Sequence, residues 1–532
     1  MIVVESIRFL IASIILIVLA ILKQVHIMQL NSYNLDQQII WYKKNFVSFA
    51  LNIGLLISTI LFYELRFILA YYLIIISMIG MLIENIPRKY KRKLVFTARI
   101  KRLIFVCVLI FAALITGFWF KTKNIKYILY VASLSPVIIF IAYLICLPIE
   151  NSLRKKFMNE AKNIIDANNN LCVIGITGSF GKTSVKFYLD RILKSKYSVC
   201  KTPESFNTAM GATLTIKNDL RNIDDIFICE MGARRVGDIK EICDIVSPNG
   251  AIITDVGNMH LDTFKTIDNV LNTKFELVES AIKNNHTDKF GSLPLLVNGD
   301  NELIRKKVID CLRITEQRFI KYYGLNPSEK SHYDFYADNV VSSAGGTKFR
   351  FNSEAFGSDE FETKLLGKYN IMNLVAAISY SLLLGVDLPT IKNVVKSIEP
   401  VSHRLQILSY GTNDIIIDDA YNSNPLGARN AVDVLSSFDG YVKVIITPGM
   451  VELNDKQDEE NESFAEYAGN KVDYAIVVGH TNKLALDRGF EKTLQKGRLI
   501  DIEKVEDAIN YARLNIDGKK VILLENDLSD NY

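Results

Sequence analysis

The segment LCVIGITGSFGKTSV, residues 171–185, joins an apolar run, a glycine-containing turn and a stretch with helical periodicity. It predicts a strand over Leu171–Ile176, a phosphate-binding loop over Thr177–Thr183 and a helix over Ser184–Leu193. Glycines in such a loop let backbone N–H groups point at an anion, and the helix N-terminus adds a positive dipole. The eight-residue Walker pattern has glycine where this chain has Ile176, so the loop is a variant of that pattern.

The side chains of this loop are of the types that bind nucleoside triphosphates. Lys182 is long enough to reach terminal phosphates, and the Thr183 hydroxyl is a suitable Mg²⁺ ligand. The sequence therefore predicts an ATP and Mg²⁺ site built from Gly178, Ser179, Gly181, Lys182, Thr183 and Ser184. A strand-to-helix turn without a ligand is the alternative, and the flanking strand and helix disfavour it.

Outward from this loop, apolar strand-like runs alternate with amphipathic helical segments, which predicts a mostly parallel sheet covered by helices. The predicted strands are Leu171–Ile176, Ile226–Cys229, Ala251–Asp255 and Leu295–Val297. A second, Rossmann-like α/β rhythm begins near Asp414, with strands at Ile415–Ile417, Val442–Ile446, Tyr474–Val478 and Val521–Leu524. We therefore expect a linker over residues 151–170, a central ATP-binding domain over 171–400 and a C-terminal domain over 401–532.

Polar residues follow two of the predicted strands. Ligands of open parallel sheets gather at the carboxyl ends of the strands. Glu230 directly follows the strand Ile226–Cys229, and His260 lies in the loop after the strand Ala251–Asp255. Together with the Thr183 hydroxyl they predict a Mg²⁺ site, although Mg²⁺ usually prefers oxygen ligands and His260 alone also fits a structural role in a loop.

The first 150 residues are much more apolar than the rest of this 532-residue chain, which is 49% hydrophobic overall. Five apolar stretches there have about the length that a bilayer-spanning helix needs. They predict an α-helical membrane domain over residues 1–150 with spans at Phe9–His26, Phe46–Tyr63, Phe67–Ile83, Leu103–Phe120 and Ile128–Leu147. We expect the first span to remain in place, because no small-residue cleavage site follows it.

Basic residues in the loops predict the orientation of these spans, because lysine and arginine near span ends stay on the cytoplasmic side. Only Arg66 lies between the second and third spans, whereas the next loop carries Arg88, Lys89, Lys91, Arg92, Lys93, Arg99, Lys101 and Arg102. The amino terminus is therefore expected outside the cell membrane, and everything after Glu150 in the cytoplasm.

The remaining composition excludes other classes of protein. The net charge is only +4, and no long basic run with interleaved aromatic residues appears in the second half, so nucleic acid is not an expected partner. The 7 cysteines include no C-x-x-C pair, which gives neither a zinc site nor a disulfide framework and fits a reducing cytoplasm. The spans themselves have two interpretations that both stay open: a simple anchor, or a site for a lipid-linked substrate.

Between Leu171 and Asn430, short motifs follow in the order found in the Mur ligase family, which the chain resembles. They are Thr177–Thr183, Glu204–Asn207 with Gly211, Glu230–Ala233, His260–Asp262, Lys274–Glu276, Asn298–Asp300, Gly367–Asn370 with Asn373, and Asp418–Pro425. The last string, DDAYNSNP, is the most specific. It is similar to the MurF-like subtype, which joins D-alanyl-D-alanine to a UDP-muramoyl-tripeptide.

The resemblance implies that a substrate carboxylate attacks the γ-phosphate of ATP and that an amine then attacks the acyl phosphate, releasing ADP and phosphate. It implies catalytic roles for Lys182, His260, Lys274 and Arg404. It also implies Mg²⁺ ligands at Thr183, Glu230, His260 and Lys274, the last as a carbamylated lysine. Nucleotide contacts are implied for Asn298, Asp300, Asn370, Asp419, Tyr421 and Asn422.

The five spans stand where the family has its amino-terminal domain for the UDP-sugar. The expected carboxylate therefore belongs either to a sugar-peptide or to a lipid-linked glycan, the expected amine is an amino acid or dipeptide, and membrane lipid is an expected partner; the oligomeric state stays open. A membrane-bound poly-glutamate ligase of the capsule type is one alternative, which the DDAYNSNP string disfavours. A non-catalytic ATP-binding scaffold of a wall-synthesis complex is another, and the presence of Lys182, Glu230 and Lys274 disfavours it.

Overall fold

The computed structural model describes residues 2–31, 33, 35–63, 69–85, 93–122, 126–204, 206–257, 259, 261–325, 333–343, 345–410, 414–420, 424–451 and 453–527. The chain forms two compact units, Met1–Lys156 and Phe157–Tyr532. The predicted boundaries at residues 150, 170 and 400 stay predictions.

The first unit is helical. Its helices are α1 (Ile2–Leu30), α2 (Leu35–Lys44), α3 (Phe46–Tyr63), α4 (Ala70–Asn85), α5 (Ala98–Thr122), α6 (Lys126–Ser133) and α7 (Ser135–Asp166). In the described part of the chain, three helices are long and apolar enough to cross a membrane: Leu10–Leu30, Ala98–Thr122 and Ser135–Asp166. The segments Ala50–Phe62 and Ala70–Asn85 are apolar but shorter, so the fivefold span count stays a prediction.

Two features of this unit differ from the predicted helices. The predicted span Ile128–Leu147 is divided between α6 and α7 at Leu134. Pro136 explains the break, because it has no N–H to donate to the preceding turn. The short helix α2, LDQQIIWYKK, has no predicted counterpart; it is too short and too polar to stand out beside the apolar spans.

A nine-stranded sheet organises the central part of the second unit. Its order is β2-β3-β1-β4-β5-β6-β7-β8-β9, parallel from β2 to β7 and antiparallel at β7-β8-β9. The strands are β1 (Cys172–Thr177), β2 (Val199–Lys201), β3 (Ile226–Glu230), β4 (Gly250–Ile253), β5 (Leu295–Asn298), β6 (Ile320–Gly324), β7 (Phe335–Ser343), β8 (Gly346–Ser353) and β9 (Gly357–Thr363).

Helices cover both faces of this sheet. They are α8 (Lys182–Leu193), α9 (Ala209–Asn218), α10 (Asp238–Val246), α11 (Leu261–Phe264), α12 (Ile267–Lys283), α13 (Glu302–Cys311), α14 (Ile314–Gln317), α15 (Lys368–Leu383) and α16 (Leu388–Ser397). Alternate residues of β1 point to opposite faces, so Ile174 and Ile176 join one core with α8 and α15, whereas Val173 joins the other with α10 and α12.

A second sheet has six strands in the order β10-β11-β15-β12-β13-β14, all parallel except the pair β10-β11. Its strands are β10 (Gln406–Tyr410), β11 (Asp414–Asp419), β12 (Val442–Thr447), β13 (Tyr474–Val478), β14 (Leu499–Ile502) and β15 (Lys520–Glu525). The helices α17 (Pro425–Ser436), α18 (Gln457–Gly469), α19 (Lys483–Glu491) and α20 (Val505–Asn515) cover it. The stretch Val521–Leu524 of β15 is apolar throughout because both faces of the sheet are covered.

The strand order places three loops together. β1 lies between β3 and β4, with Ile176 beside Glu230 and Thr177 beside Ile253. The carboxyl ends of these neighbouring parallel strands therefore meet at one edge, where ligands of such sheets bind.

Candidate functional site

The loop between β1 and α8 is held in a shape that only glycine permits at two positions. A Cβ at Gly178 would lie 2.0 Å from Thr254 Oγ1 and 2.9 Å from the backbone N of Asp255. A Cβ at Gly181, where φ is 81°, would lie 2.2 Å from Asn373 Oδ1. The residues directly after β4 and a side chain of α15 therefore pack closely against this loop.

Lys182 begins α8 and is folded back over the loop. Its Nζ donates hydrogen bonds to the carbonyl oxygens of Gly178 at 2.8 Å and Ser179 at 3.1 Å. Burial lowers the pKa of Lys182 to about 8; the charge of Glu230 acts against this shift and that of Arg404 adds to it. The ammonium group thus lies within the electrostatic reach of both of these residues.

Glu230, at the end of β3, is buried and accepts contacts from three sides. Thr183 Oγ1 donates to its Oε1 at 3.1 Å, and Asn207 Nδ2 donates to the same oxygen at 3.3 Å. Its Oε2 forms an ion pair with Lys186 Nζ at 2.8 Å, and Lys186 also donates to the carbonyl oxygen of Glu204. The predicted metal ligands Thr183 and Glu230 are therefore in contact. Asn207, from the motif Glu204–Asn207, joins them, and so does Lys186, which the sequence analysis did not single out.

Three of the predicted site residues, His260, Tyr421 and Asn422, lie outside the described residues. The backbone just before His260 is held against the phosphate loop. Gly257 N–H donates to Ser179 Oγ at 3.1 Å, and the Ser179 hydroxyl donates to the Gly257 carbonyl oxygen at 3.2 Å. Ser179, predicted to bind ATP, thus has a side chain that connects the loop after β1 with the loop after β4.

Lys274 lies on α12 with its side chain buried. Burial lowers its pKa to about 7; the positive charge of Lys182 adds to this shift, and Asp238 and Glu276 oppose it. Glu276 itself accepts a hydrogen bond from the Gly237 backbone N–H at 2.9 Å, so its carboxylate caps α10. Among the described residues, Lys274 has neither a hydrogen bond nor an ion pair.

The segment predicted to contact the adenosine group follows β5. Asn298 Oδ1 accepts a hydrogen bond from the Asp300 backbone N–H at 2.9 Å. The two carboxylate oxygens of Asp300 accept hydrogen bonds from the Leu325 backbone N–H, at 2.9 Å, and from the Tyr333 hydroxyl. The Tyr333 ring lies against Gly299, where an added Cβ would approach it to 2.4 Å.

Asn370 on α15 is buried in a structural contact. Its Oδ1 accepts a hydrogen bond from the Tyr188 hydroxyl at 3.0 Å, and its Nδ2 donates to the carbonyl oxygen of Leu366 at 2.9 Å. Asn373, one turn further along α15, is the residue whose side chain reaches Gly181 in the phosphate loop. Asn373 belongs to the motif named from the sequence, and its spacing of three residues from Asn370 places both on one face of α15.

The C-terminal part contributes Arg404 and Asp419. Burial raises the pKa of Asp419 to about 6, against the charge of Arg404 and the hydrogen bond from Leu405 N–H at 3.1 Å. Both neighbours of Arg404 adopt left-handed backbone conformations, with φ of 59° at His403 and 49° at Leu405. His403 Nδ1 lies 2.7 Å from an Asp418 carboxylate oxygen, so Arg404 is fixed between two anchored residues.

Replacing Gly181 by alanine is expected to weaken ATP binding at least about tenfold, because left-handed backbone costs about 1–2 kcal/mol in an L-residue and the Cβ would displace Asn373. The measurement is calorimetric ATP binding, together with thermal unfolding. Gly237→Ala is the matched control, since φ there is 90°, Gly237 also precedes a helix, and no atom lies within 4 Å of the added Cβ. ATP affinity of Gly181→Ala within twofold of wild type would contradict the phosphate-loop interpretation.

Comparisons with known proteins agree with this geometry. A family model described as the Mur ligase middle domain matches residues 176–380, and one described as Mur ligase, glutamate ligase domain matches residues 403–525. The UDP-N-acetylmuramoyl-tripeptide–D-alanyl-D-alanine ligase of Bacillus subtilis is 26% identical over 355 residues, 66% of this chain and 72% of that protein. The protein of the same name from Buchnera aphidicola subsp. Baizongia pistaciae is 31% identical over 53% of this chain and 58% of its own length.

A solved structure shares the fold. The MurF ligase of Thermotoga maritima, in complex with ADP, matches with a TM-score of 0.59 and 24% sequence identity over 70% of this chain and 80% of that chain. Together with the two observed sheets, this confirms the predicted fold class of a mostly parallel central domain followed by a C-terminal α/β domain.

Proposed function

We propose that this chain, which belongs to the Mur ligase family, is an ADP-forming ligase that uses ATP to join a substrate carboxylate to an amine. The observation that carries the proposal is the convergence of Lys182 and the Thr183–Glu230 pair on one glycine-lined loop, where the charge of Arg404 also acts on Lys182. From the names of the relatives, the carboxylate is that of a UDP-N-acetylmuramoyl-tripeptide and the amine is D-alanyl-D-alanine, which places the reaction in peptidoglycan synthesis.

The residues of the loop support phosphoryl transfer by positioning and charge. Negative charge spreads over the transferred phosphoryl group, and fixed cations stabilise it. Lys182 can exchange its two loop carbonyl acceptors for phosphate oxygens, and Arg404 supplies a second cation from the C-terminal side. The backbone N–H groups at the start of α8 orient the phosphates.

The donor set of the site fits Mg²⁺, which neutralises phosphate charge when bound. Thr183 Oγ1 and Glu230 Oε1 are hard oxygen atoms of the kind that Mg²⁺ prefers. Among the described residues, no group of three His, Cys, Asp or Glu side chains could hold a metal ion. A metal ion at Thr183 and Glu230 would therefore need further ligands. We assign these roles to His260 and to Lys274 in carbamylated form.

The environment of Lys274 supports its carbamylation. The amine nitrogen attacks the carbon of CO₂, an N–C bond forms and a proton passes to water, so only the neutral amine reacts. The lowered pKa of Lys274, about 7 because of burial, leaves a large neutral fraction at neutral pH. The product is an anion with two oxygen atoms, a suitable Mg²⁺ ligand, whereas an ammonium group would repel the metal.

For the first unit we propose a multi-pass arrangement in the cell membrane with the amino terminus outside and the ligase unit in the cytoplasm. The three long apolar helices and the basic segment before α5 support it. Many large apolar side chains of this unit are exposed, among them Ile14, Val18, Ile76, Phe105 and Ile145, as expected for a surface that contacts lipid.

Phosphate release from ATP by the purified full chain tests the proposed reaction. UDP-muramoyl-tripeptide and D-alanyl-D-alanine are supplied together and each alone, with the ligated product detected by mass spectrometry. Turnover that requires both substrates supports the proposal. Turnover driven by L-glutamate alone would indicate a poly-glutamate ligase instead, and ATP binding without turnover under any substrate pair would indicate a scaffold.

A further inference from the structure

A crevice in the membrane unit combines a cation, a hydroxyl and an apolar wall. It opens to the surface and encloses only about 10 Å³, about the room of one water molecule, and it is lined by residues that include Tyr33, Arg99, Leu103, Tyr143, Leu147 and Glu150. These residues come from α5, from α7 and from the turn after α1, which belong to the three helices long enough to cross a membrane.

The charge in this crevice is not fully compensated. Glu150 accepts two hydrogen bonds from Arg102, at 2.6 Å and 3.0 Å, in the bidentate geometry that arginine prefers with carboxylates. Arg99 lies farther away, with Nε 3.9 Å from Glu150 Oε2, and among the described residues it donates no hydrogen bond. Since Arg102 already neutralises Glu150, the charge of Arg99 is in surplus.

The orientation of Arg99 is fixed by Tyr33. The guanidinium carbon lies 3.8 Å from the centre of the Tyr33 ring, and the backbone carbonyl of Tyr33 accepts a hydrogen bond from the Tyr143 hydroxyl at 2.8 Å. The Tyr33 hydroxyl is itself buried, and its oxygen lies within reach of the Thr97 hydroxyl. Thr97 can donate to this oxygen, which leaves the Tyr33 proton to be accepted by a ligand, and a buried donor without an acceptor is costly.

Another buried charge of the same unit has a partner. Lys23 and Glu84 form an ion pair at 2.7 Å. Leu103 and Leu147 give the crevice an apolar wall beside Arg99. A ligand that satisfies all three features has an anionic group with several acceptor oxygens attached to an apolar chain.

We propose that this crevice binds the phosphate group of a membrane lipid, with Arg99 and the Tyr33 hydroxyl donating to phosphate oxygens and Leu103 and Leu147 contacting the chain. Arginine suits this role because its planar donors match phosphate oxygens. The basic segment around Arg99 puts the crevice at the cytoplasmic end of α5, where the head groups of the inner leaflet lie. The lipid is either an anionic phospholipid or a lipid-linked form of the ligase substrate.

Direct binding to the full chain tests this inference without any ATP turnover, so its failure is separable from failure of the proposed reaction. The full chain in phosphatidylcholine nanodiscs is titrated with a polyprenyl monophosphate, with phosphatidylglycerol and with the uncharged polyprenol. Wild type is expected to bind at least one of the phosphate lipids at least about tenfold more tightly than the polyprenol, the usual range for charge-assisted hydrogen bonds. Preference for the polyprenyl phosphate would identify a lipid-linked substrate, and preference for phosphatidylglycerol an anionic phospholipid.

Variants of α5 show whether Arg99 is responsible. Arg99→Gln is expected to lose at least about tenfold in phosphate-lipid affinity, and Arg99→Lys to retain part of it. Tyr33→Phe keeps the ring under Arg99 and removes only the hydroxyl, so a smaller loss is expected. Lys121→Gln, at the opposite end of α5, is the matched control and should bind as wild type does. Equal affinity of wild type and Arg99→Gln, or equal binding of polyprenol and polyprenyl phosphate, would overturn the proposal.

Discussion

Replacing Lys182 by alanine is expected to reduce ATP hydrolysis at least about a hundredfold, the loss typical for removal of a preorganised donor to transition-state charge. Lys182 is mostly protonated at neutral pH, because its pKa is lowered by burial only to about 8. Its two acceptors in the loop, the carbonyl oxygens of Gly178 and Ser179, are weaker partners than phosphate oxygens. Steady-state phosphate release with saturating substrates measures the effect.

Lys194→Ala is the matched control for this variant. Lys194 follows the other end of α8, so its replacement removes the same charge outside the phosphate loop. Its half-exposed ammonium group pairs with the buried Asp190, which keeps Lys201 as a second partner, and the control should therefore turn over at close to the wild-type rate. If Lys182→Ala also hydrolysed ATP at the wild-type rate, the loop would not hold the triphosphate.

The fold and the family were accessible from the sequence because local patterns carry them. The glycine spacing of Thr177–Thr183 and the apolar runs of β1 and β3 predicted a phosphate loop between a buried strand and a helix, and both are observed. The DDAYNSNP string predicted the subtype, which the relatives confirm at the level of the family and its reaction. In contrast, β7, β8 and β9 had no predicted counterparts, since strands at an antiparallel sheet edge lack the continuous apolar runs of buried parallel strands.

The site was predicted less completely, because its contacts join residues distant in sequence. Lys186 lies four residues after Lys182 and looks like an ordinary helix lysine, yet it is buried against Glu230. Such a pair depends on which strand lies beside α8, and that is a tertiary property. Removal of either partner would leave an unpaired charge in a low dielectric, so the two side chains depend on each other.

The conformation around Arg404 was also inaccessible to pattern analysis. His403 and Leu405 are not glycines, yet both adopt positive φ. Non-glycine residues adopt this region uncommonly and at a cost, so the contacts of His403 with Asp418 and of Leu405 N–H with Asp419 must stabilise it. The backbone thus holds Arg404 where its charge lowers the pKa of Lys182.

Replacing Lys274 by alanine is expected to abolish ligation, with a loss of at least about a hundredfold, and small carboxylates such as acetate or formate are expected to restore part of the activity. If Lys274 acts as a carbamate, its variant lacks an anionic oxygen ligand that a diffusible carboxylate can supply. Lys283→Ala, in the last turn of the same helix α12, is the control and should behave as wild type. Phosphate release is measured at increasing acetate concentration in both variants.

The pH dependence provides an independent check of the carbamate. Burial lowers the pKa of Lys274 to about 7, so below this pH the protonated fraction grows and the neutral amine that reacts with CO₂ declines. Activity of the wild type is therefore expected to fall on the acid side of about pH 7, more steeply in CO₂-depleted buffer, and to recover when bicarbonate is added. A carbamate carbon signal from ¹³C-bicarbonate should be present in wild type and absent in Lys274→Ala. Full turnover in CO₂-free buffer without that signal would mean that Lys274 acts as an amine, and the proposed metal ligands would then be Thr183, Glu230 and His260 alone.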